Sequence, residues 1–139
     1  GAMAQGGTYT GNVVATEAAI DTLEIIEKEP VIETINKRGE VLMTGFDEIL
    51  SEADIPHSIT GVPSMFGLVL GTDQKPNDFR EYFNGDGELF ENLALELIQR
   101  GVQPDGDSRE PLFLCYALSE ADVEETLNIF NDSVKAVKE

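Results

Sequence analysis

The feature that most limits how this chain can fold is an apolar stripe between Ile32 and Ala53. Ile32, Ile35, Gly39, Leu42, Phe46, Ile49 and Ala53 follow one another at alternating steps of three and four residues. That spacing gathers side chains on one side of an α-helix, and such a face has to be covered by another layer. Gly39 lies on the stripe, where glycine costs about 1 kcal/mol against alanine, so a close backbone approach is expected there. Ile55-Pro56 ends the helix, because the residue before a proline is driven out of the helical region.

The neighbouring segments say what the cover is made of. Upstream, Asn12 to Lys28 reads as a helix with Ala15, Ala18, Ala19, Leu23 and Ile26 on one face, small enough to press closely against something larger. Glu29-Pro30 breaks it. Downstream, His57 to Val62 and Met65 to Leu70 read as strands joined at Pro63-Ser64. Gly71 to Gly87 is polar, with Phe79, Tyr82 and Phe83 at helical spacing. A helix follows with Phe90, Leu93, Ala94, Leu97 and Ile98 as its face and Gly101 as its C-terminal cap. Pro111 to Ala117 reads as a third strand, reached through the loop Gln103 to Glu110. The last helix has Ser119 as N-cap and Asp122 in a near match to a capping box. Acids fill its first turns, Lys135 and Lys138 sit at its end, and Val123, Leu127, Phe130 and Val134 face inward. The order is helix, helix, strand, strand, helix, strand, helix. It predicts an α/β two-layer sandwich, a small mainly antiparallel sheet packed with helices, with residues 4–139 as a single domain and Gly1-Ala2-Met3 as an expression scar.

At 139 residues with 41% hydrophobic content, the chain can bury a modest core. Its 27 acids against 9 bases give a formal charge of −18, which disfavours nucleic acid and anionic membrane as partners. No apolar run reaches the roughly 20 residues of a membrane span. Cys115 is the single cysteine. With Leu112, Phe113, Leu114 and Tyr116 around it, it is expected to be a buried structural thiol in a reducing, cytoplasmic setting. Asn84-Gly85-Asp86-Gly87-Glu88 has the look of a calcium loop, but the first and last ligand positions would be Tyr82 and Leu93, so no metal is expected. His57, with no partner in view, reads as structural.

Gly6-Gly7-Thr8-Tyr9-Thr10-Gly11-Asn12 stands immediately before the first helix. Glycines allow a tight turn, threonine hydroxyls donate to phosphate oxygens, and a helix N-terminus favours an anion. This stretch closely resembles the turn of class III pyridoxal-phosphate (PLP) aminotransferases, the group that contains glutamate-1-semialdehyde aminomutase. Ser64-Met65-Phe66-Gly67 is similar to the Ser-Met-Phe strand of that subgroup. The resemblance spans nearly the whole chain and implies the C-terminal small domain of a fold-type I PLP enzyme. It departs from the family at Val13, where proline is frequent, and at Pro63, where glycine is usual. It implies that Thr8, with Gly7 beside it, reaches the cofactor phosphate of the neighbouring subunit in a homodimer, and that a PLP-binding large domain lies upstream.

PLP chemistry needs a lysine to carry the cofactor and an acid for its ring nitrogen, and in the resembled family both precede the turn. No lysine precedes Thr8, and Lys28, Lys37, Lys75, Lys135 and Lys138 fall on helix surfaces, a loop or the tail. The fragment alone is therefore expected to hold no PLP stably and to be inactive. Arg109, in Asp107-Ser108-Arg109-Glu110-Pro111, has the planar fork that grips a substrate carboxylate; it reads equally as an exposed loop arginine amid acids. The resemblance places an arginine of this kind before the last strand in several transaminases. Glu110 falls where the aminomutases carry glutamate, but their neighbouring residue is commonly aromatic. The expectation is a class III transaminase domain for a small amino-acid substrate. The alternatives are an aminomutase domain and a free-standing acidic protein-interaction module.

Overall fold

The computed structural model describes residues 6–138, so the expected scar at Gly1-Ala2-Met3 lies outside the described residues. Four helices and a three-stranded sheet follow in the order α1 (Val13–Lys28), α2 (Val31–Glu52), β1 (His57–Val62), β2 (Met65–Leu70), α3 (Gly87–Gln99), β3 (Leu112–Phe113) and α4 (Glu120–Lys138). By internal contacts the chain divides into two units, residues 1–32 and 33–139.

In the first unit α1 begins where the sequence predicts. Asn12 takes an extended conformation and its Oδ1 accepts the Ala15 N–H at 3.0 Å, satisfying one of the donors every helix start leaves unpaired. At the other end the Glu29 N–H still reaches the Ile25 carbonyl before Pro30. None of the α1 residues is buried. The alanine face and Val13, Val14, Leu23 and Ile26 are all open.

The second unit is built on α2. Leu42, Phe46 and Leu50 are buried along it, with Met43, Ile49 and Ala53 packed at the margin. Ile32, expected on the stripe, is exposed, because the inward face of α2 runs through Ile35, Leu42, Phe46 and Leu50 instead. Gly39 behaves as expected. A Cβ placed there would fall on the Pro63 carbonyl, so the helix passes directly against the tip of the β1–β2 hairpin. At the centre of the core the Phe46 ring stacks on Phe130 of α4 at 3.8 Å, and meets Phe66 of β2 edge-on at 6.0 Å.

The sheet runs β1-β2-β3 and is antiparallel throughout. His57 pairs with Leu70 and Val62 with Met65, which leaves Pro63-Ser64 as the two-residue connection. Residues 66–70 of β2 are all buried, so both faces of the strand are covered. Phe66, Leu68 and Leu70 belong to the helix-lined core with Phe90, Leu93 and Leu97 of α3 and Val123, Phe130 and Val134 of α4. On the opposite face the Tyr82 hydroxyl stands over Gly67, and Gly85 lies against Val69. Thr60 and Tyr82 share a hydrogen bond of 3.1 Å that pins this covering segment to β1.

Three local expectations are corrected. The strand expected at Pro111 to Ala117 is only Leu112–Phe113, because β2 offers it just Met65 and Phe66; after the Leu114 N–H reaches Ser64, the chain turns away. Cys115, expected to be buried, is exposed for the same reason: it follows the strand rather than lying in it. The aromatic trio is not a regular helix but a 3-10 turn over Glu81–Asn84, with Phe79 outside it. In addition, Ile98 is exposed although Leu97 is buried.

α3 starts on Asp86, whose Oδ1 accepts the Leu89 N–H at 2.9 Å, giving the calcium-like stretch an ordinary capping role. It stops at Gly101, whose φ of 102° is left-handed. The Val102 N–H reaches Leu97 O and the Gly101 N–H reaches Ile98 O, a Schellman closure that needs this residue to be glycine-like.

Candidate functional site

Two places carry the residues that the sequence singles out. The first is the turn before α1. The Thr10 N–H donates to Gly7 O and the Asn12 N–H to Tyr9 O, each at 3.0 Å. Two consecutive turns thus present Thr8 on an exposed bend. Gly11, at φ 77°, hands the chain to the Asn12 cap. Gly7 sits beside the Thr10 hydroxyl, 3.0 Å from where its Cβ would be.

The second is the loop that ends at Arg109. Asp105 and Asp107 shape it, since the Asp107 N–H donates to Asp105 Oδ1 at 2.9 Å and the Arg109 N–H to Asp107 Oδ1 at 3.0 Å. Short polar side chains that bond the backbone two residues on make such turns. The same Asp107 carboxylate holds the guanidinium. Arg109 Nε donates to Oδ1 at 2.6 Å and Nη2 donates to Oδ2, the paired geometry that lysine cannot make. The guanidinium carbon stands 5.1 Å from the Phe83 ring centre, within cation–π reach. Phe83 is braced edge-on by Phe79 at 5.7 Å. Tyr82, Phe83, Glu91, Asp107, Ser108 and Arg109 line a cleft of about 320 Å³ here.

The electrostatics follow from this contact. The hydrogen bonds from Arg109 hold the Asp107 carboxyl down to about 2, and the same contact raises Arg109 above its ordinary value. Both side chains are more than a third exposed, so solvent screens the pair, and its worth lies in orientation more than in stability.

Glu110, next in sequence, serves a different cavity. It lines a cleft of about 640 Å³ floored by Phe46, Phe66, Leu112, Leu118 and Ile129 and edged by Asp105, Asp122, Glu125 and Arg100. Arg100 is itself tied to Glu96. The two expected substrate residues are therefore neighbours in sequence but not in one cleft. No lysine lines either of them. His57 does have partners: Nδ1 lies 2.8 Å from the Ile55 carbonyl and Nε2 lies 3.1 Å from Asp47. With its side chain 8% exposed, it ties the end of α2 to the start of β1, a structural position.

Sequence reasoning missed Asp107 and Phe83. An aspartate two residues before an arginine in a polar loop was a local signal for Asp107. Phe83 had none, because only the tertiary fold brings residues 79–85 beside the loop.

The class III aminotransferase family matches this chain over residues 1–134, and the chain belongs to that family. It is 31% identical over 137 residues to glutamate-1-semialdehyde 2,1-aminomutase of Desulfitobacterium hafniense, covering 99% of this chain and 32% of the relative. The chain thus spans about a third of the length of the curated relatives it matches. Among solved structures, the FumI protein of Sphingopyxis sp. MTA144, described in a PLP form, is similar with a TM-score of 0.80 at 23% identity, over 99% of this chain and 30% of that one. A glutamate-1-semialdehyde aminomutase from Pseudomonas aeruginosa is similar with a TM-score of 0.69 at 20% identity, over 78% and 24%. The α/β architecture is accordingly that of aminotransferase-like structures.

Proposed function

We propose that this chain is the C-terminal domain of a PLP-dependent class III transaminase acting on an amino acid. In this reading it supplies contacts to the cofactor phosphate and the substrate carboxylate, and an upstream large domain supplies the covalent lysine. The observation that carries it is the exposed Thr8 turn feeding a capped helix, in a chain that belongs to the family. The residues present suit only the phosphate end of the cofactor: a free-standing hydroxyl on a glycine-flanked bend at a helix start. When bound, PLP supplies the electron sink for chemistry at the amino-bearing carbon. The role of this chain is to hold and orient: Thr8 at the phosphate across a homodimer interface, Arg109 at the carboxylate. The chain covers 32% of the length of a relative to which it is 31% identical, which fits a part of a longer protein. That favours a domain of a larger enzyme over a free-standing interaction module.

A second reading, an aminomutase domain, is favoured by the names of the relatives and by Glu110. Arg109 beside it tilts the balance to a transaminase.

The test is made in the full-length parent. Hydrogen bonds to charged groups are worth about 1.5–3 kcal/mol, so Thr8→Ala should weaken PLP retention by roughly ten- to a hundred-fold. Arg109→Lys keeps the charge but loses the fork. It should slow an amino-acid donor and spare the decarboxylated amine. Equal slowing of both would mean that Arg109 supports its loop and does not read the substrate.

A further inference from the structure

We propose that Asp107 and Phe83 are positioning residues for Arg109, holding its guanidinium so that one edge stays free for the carboxylate of a small organic acid. The inference rests on the reading of Arg109 as a carboxylate reader and deepens it.

The geometry is specific. A guanidinium carries five N–H donors in a rigid plane. Asp107 takes the side edge, through Nε and Nη2, which leaves the terminal edge of Nη1 and the second Nη2 hydrogen for another acid. The Asp107 carboxylate is itself fixed, because its Oδ1 also accepts the Arg109 backbone N–H. Phe83 limits the plane from one side at 5.1 Å and is braced by Phe79. An exposed arginine would otherwise sample many rotamers, and ordering it would fall to the ligand. Here the loop has ordered it in advance, in the lining of a cleft of about 320 Å³. Asp107 and Glu91, which lines the same cleft, also act against binding, since their negative charges repel an incoming acid. In an open cleft that repulsion is screened, so the pre-ordering prevails and removing Asp107 should weaken binding.

The experiment titrates this chain with benzoate and, separately, with benzylamine, read by NMR at the Gly106 and Ser108 amides and the Arg109 Nε–H. Benzoate should bind and benzylamine should not. Asp107→Asn should raise the benzoate Kd about tenfold and broaden the Arg109 Nε–H, and Phe83→Leu should act in the same direction by a few-fold. Arg109→Gln, which removes both the charge and the fork, should abolish the preference for benzoate over benzylamine. An Asp107→Asn chain that binds benzoate as well as or better than the parent sequence overturns the positioning role, while Arg109 keeps its reading if Arg109→Gln still loses the preference. If the unaltered chain does not prefer benzoate, or Arg109→Gln leaves the preference intact, the reading of Arg109 fails and this inference fails with it.

Discussion

Asp107 and Gly39 show how single side chains set the local geometry. Asp107 titrates down to about 2 because Arg109 hydrogen-bonds its charged form, against an ordinary carboxylate near 3.9. A depressed folded-state value means that the contact is fully present above the ordinary range and is lost as pH falls through about 2. Carboxyl-carbon NMR should therefore place the Asp107 midpoint near 2, and Arg109→Leu should return it toward the ordinary value. A midpoint unmoved by that substitution would remove Arg109 as the cause. Gly39 balances two opposed effects. Gly39→Ala gains about 1 kcal/mol of helix propensity, but its Cβ falls on the Pro63 carbonyl. Backbone cannot yield as a side-chain tip can, and overpacking of this kind costs about 1–3 kcal/mol or more. The substitution should lower the melting temperature despite the better helix former. Calorimetry showing a rise would mean that the helix and the hairpin tip separate easily.

Elements with local punctuation were legible in the sequence, and those defined by their neighbours were not. α4 is the clearest case of the first kind. The Ser119 N–H donates to Asp122 Oδ2 at 2.7 Å and the Asp122 N–H returns to Ser119 Oγ at 3.1 Å, closing the expected capping box. The Ser119 bonds hold the Asp122 carboxyl below its usual range, so this cap too is retained above the ordinary carboxylate value and weakens in acid. Ser119→Ala should cost about 1 kcal/mol, visible as a drop in the urea midpoint at neutral pH. The drop should shrink at low pH, where Asp122 is protonated. Strands β1 and β2 were readable to the residue because Pro56, the Pro63-Ser64 turn and Gly71 bracket them. The shortness of β3 was not, since the apolar run from Leu112 to Leu114 says nothing of how far β2 extends beside it. The exposure of Cys115 follows from that same hidden fact.

At the scale of the whole molecule, the order of helices and strands followed from periodicity, but the partition of the site did not. Arg109 and Glu110 are adjacent in the chain yet line separate clefts. The relatives that the chain matches are about three times as long. The central claim is that this domain lends contacts to a cofactor which another part of the protein carries covalently. Incubating the 139-residue chain with PLP, reducing with borohydride and mapping the product by mass spectrometry tests this directly. The account predicts only scattered, substoichiometric labelling of Lys28, Lys37, Lys75, Lys135 and Lys138. A stoichiometric adduct at one of these lysines would contradict it.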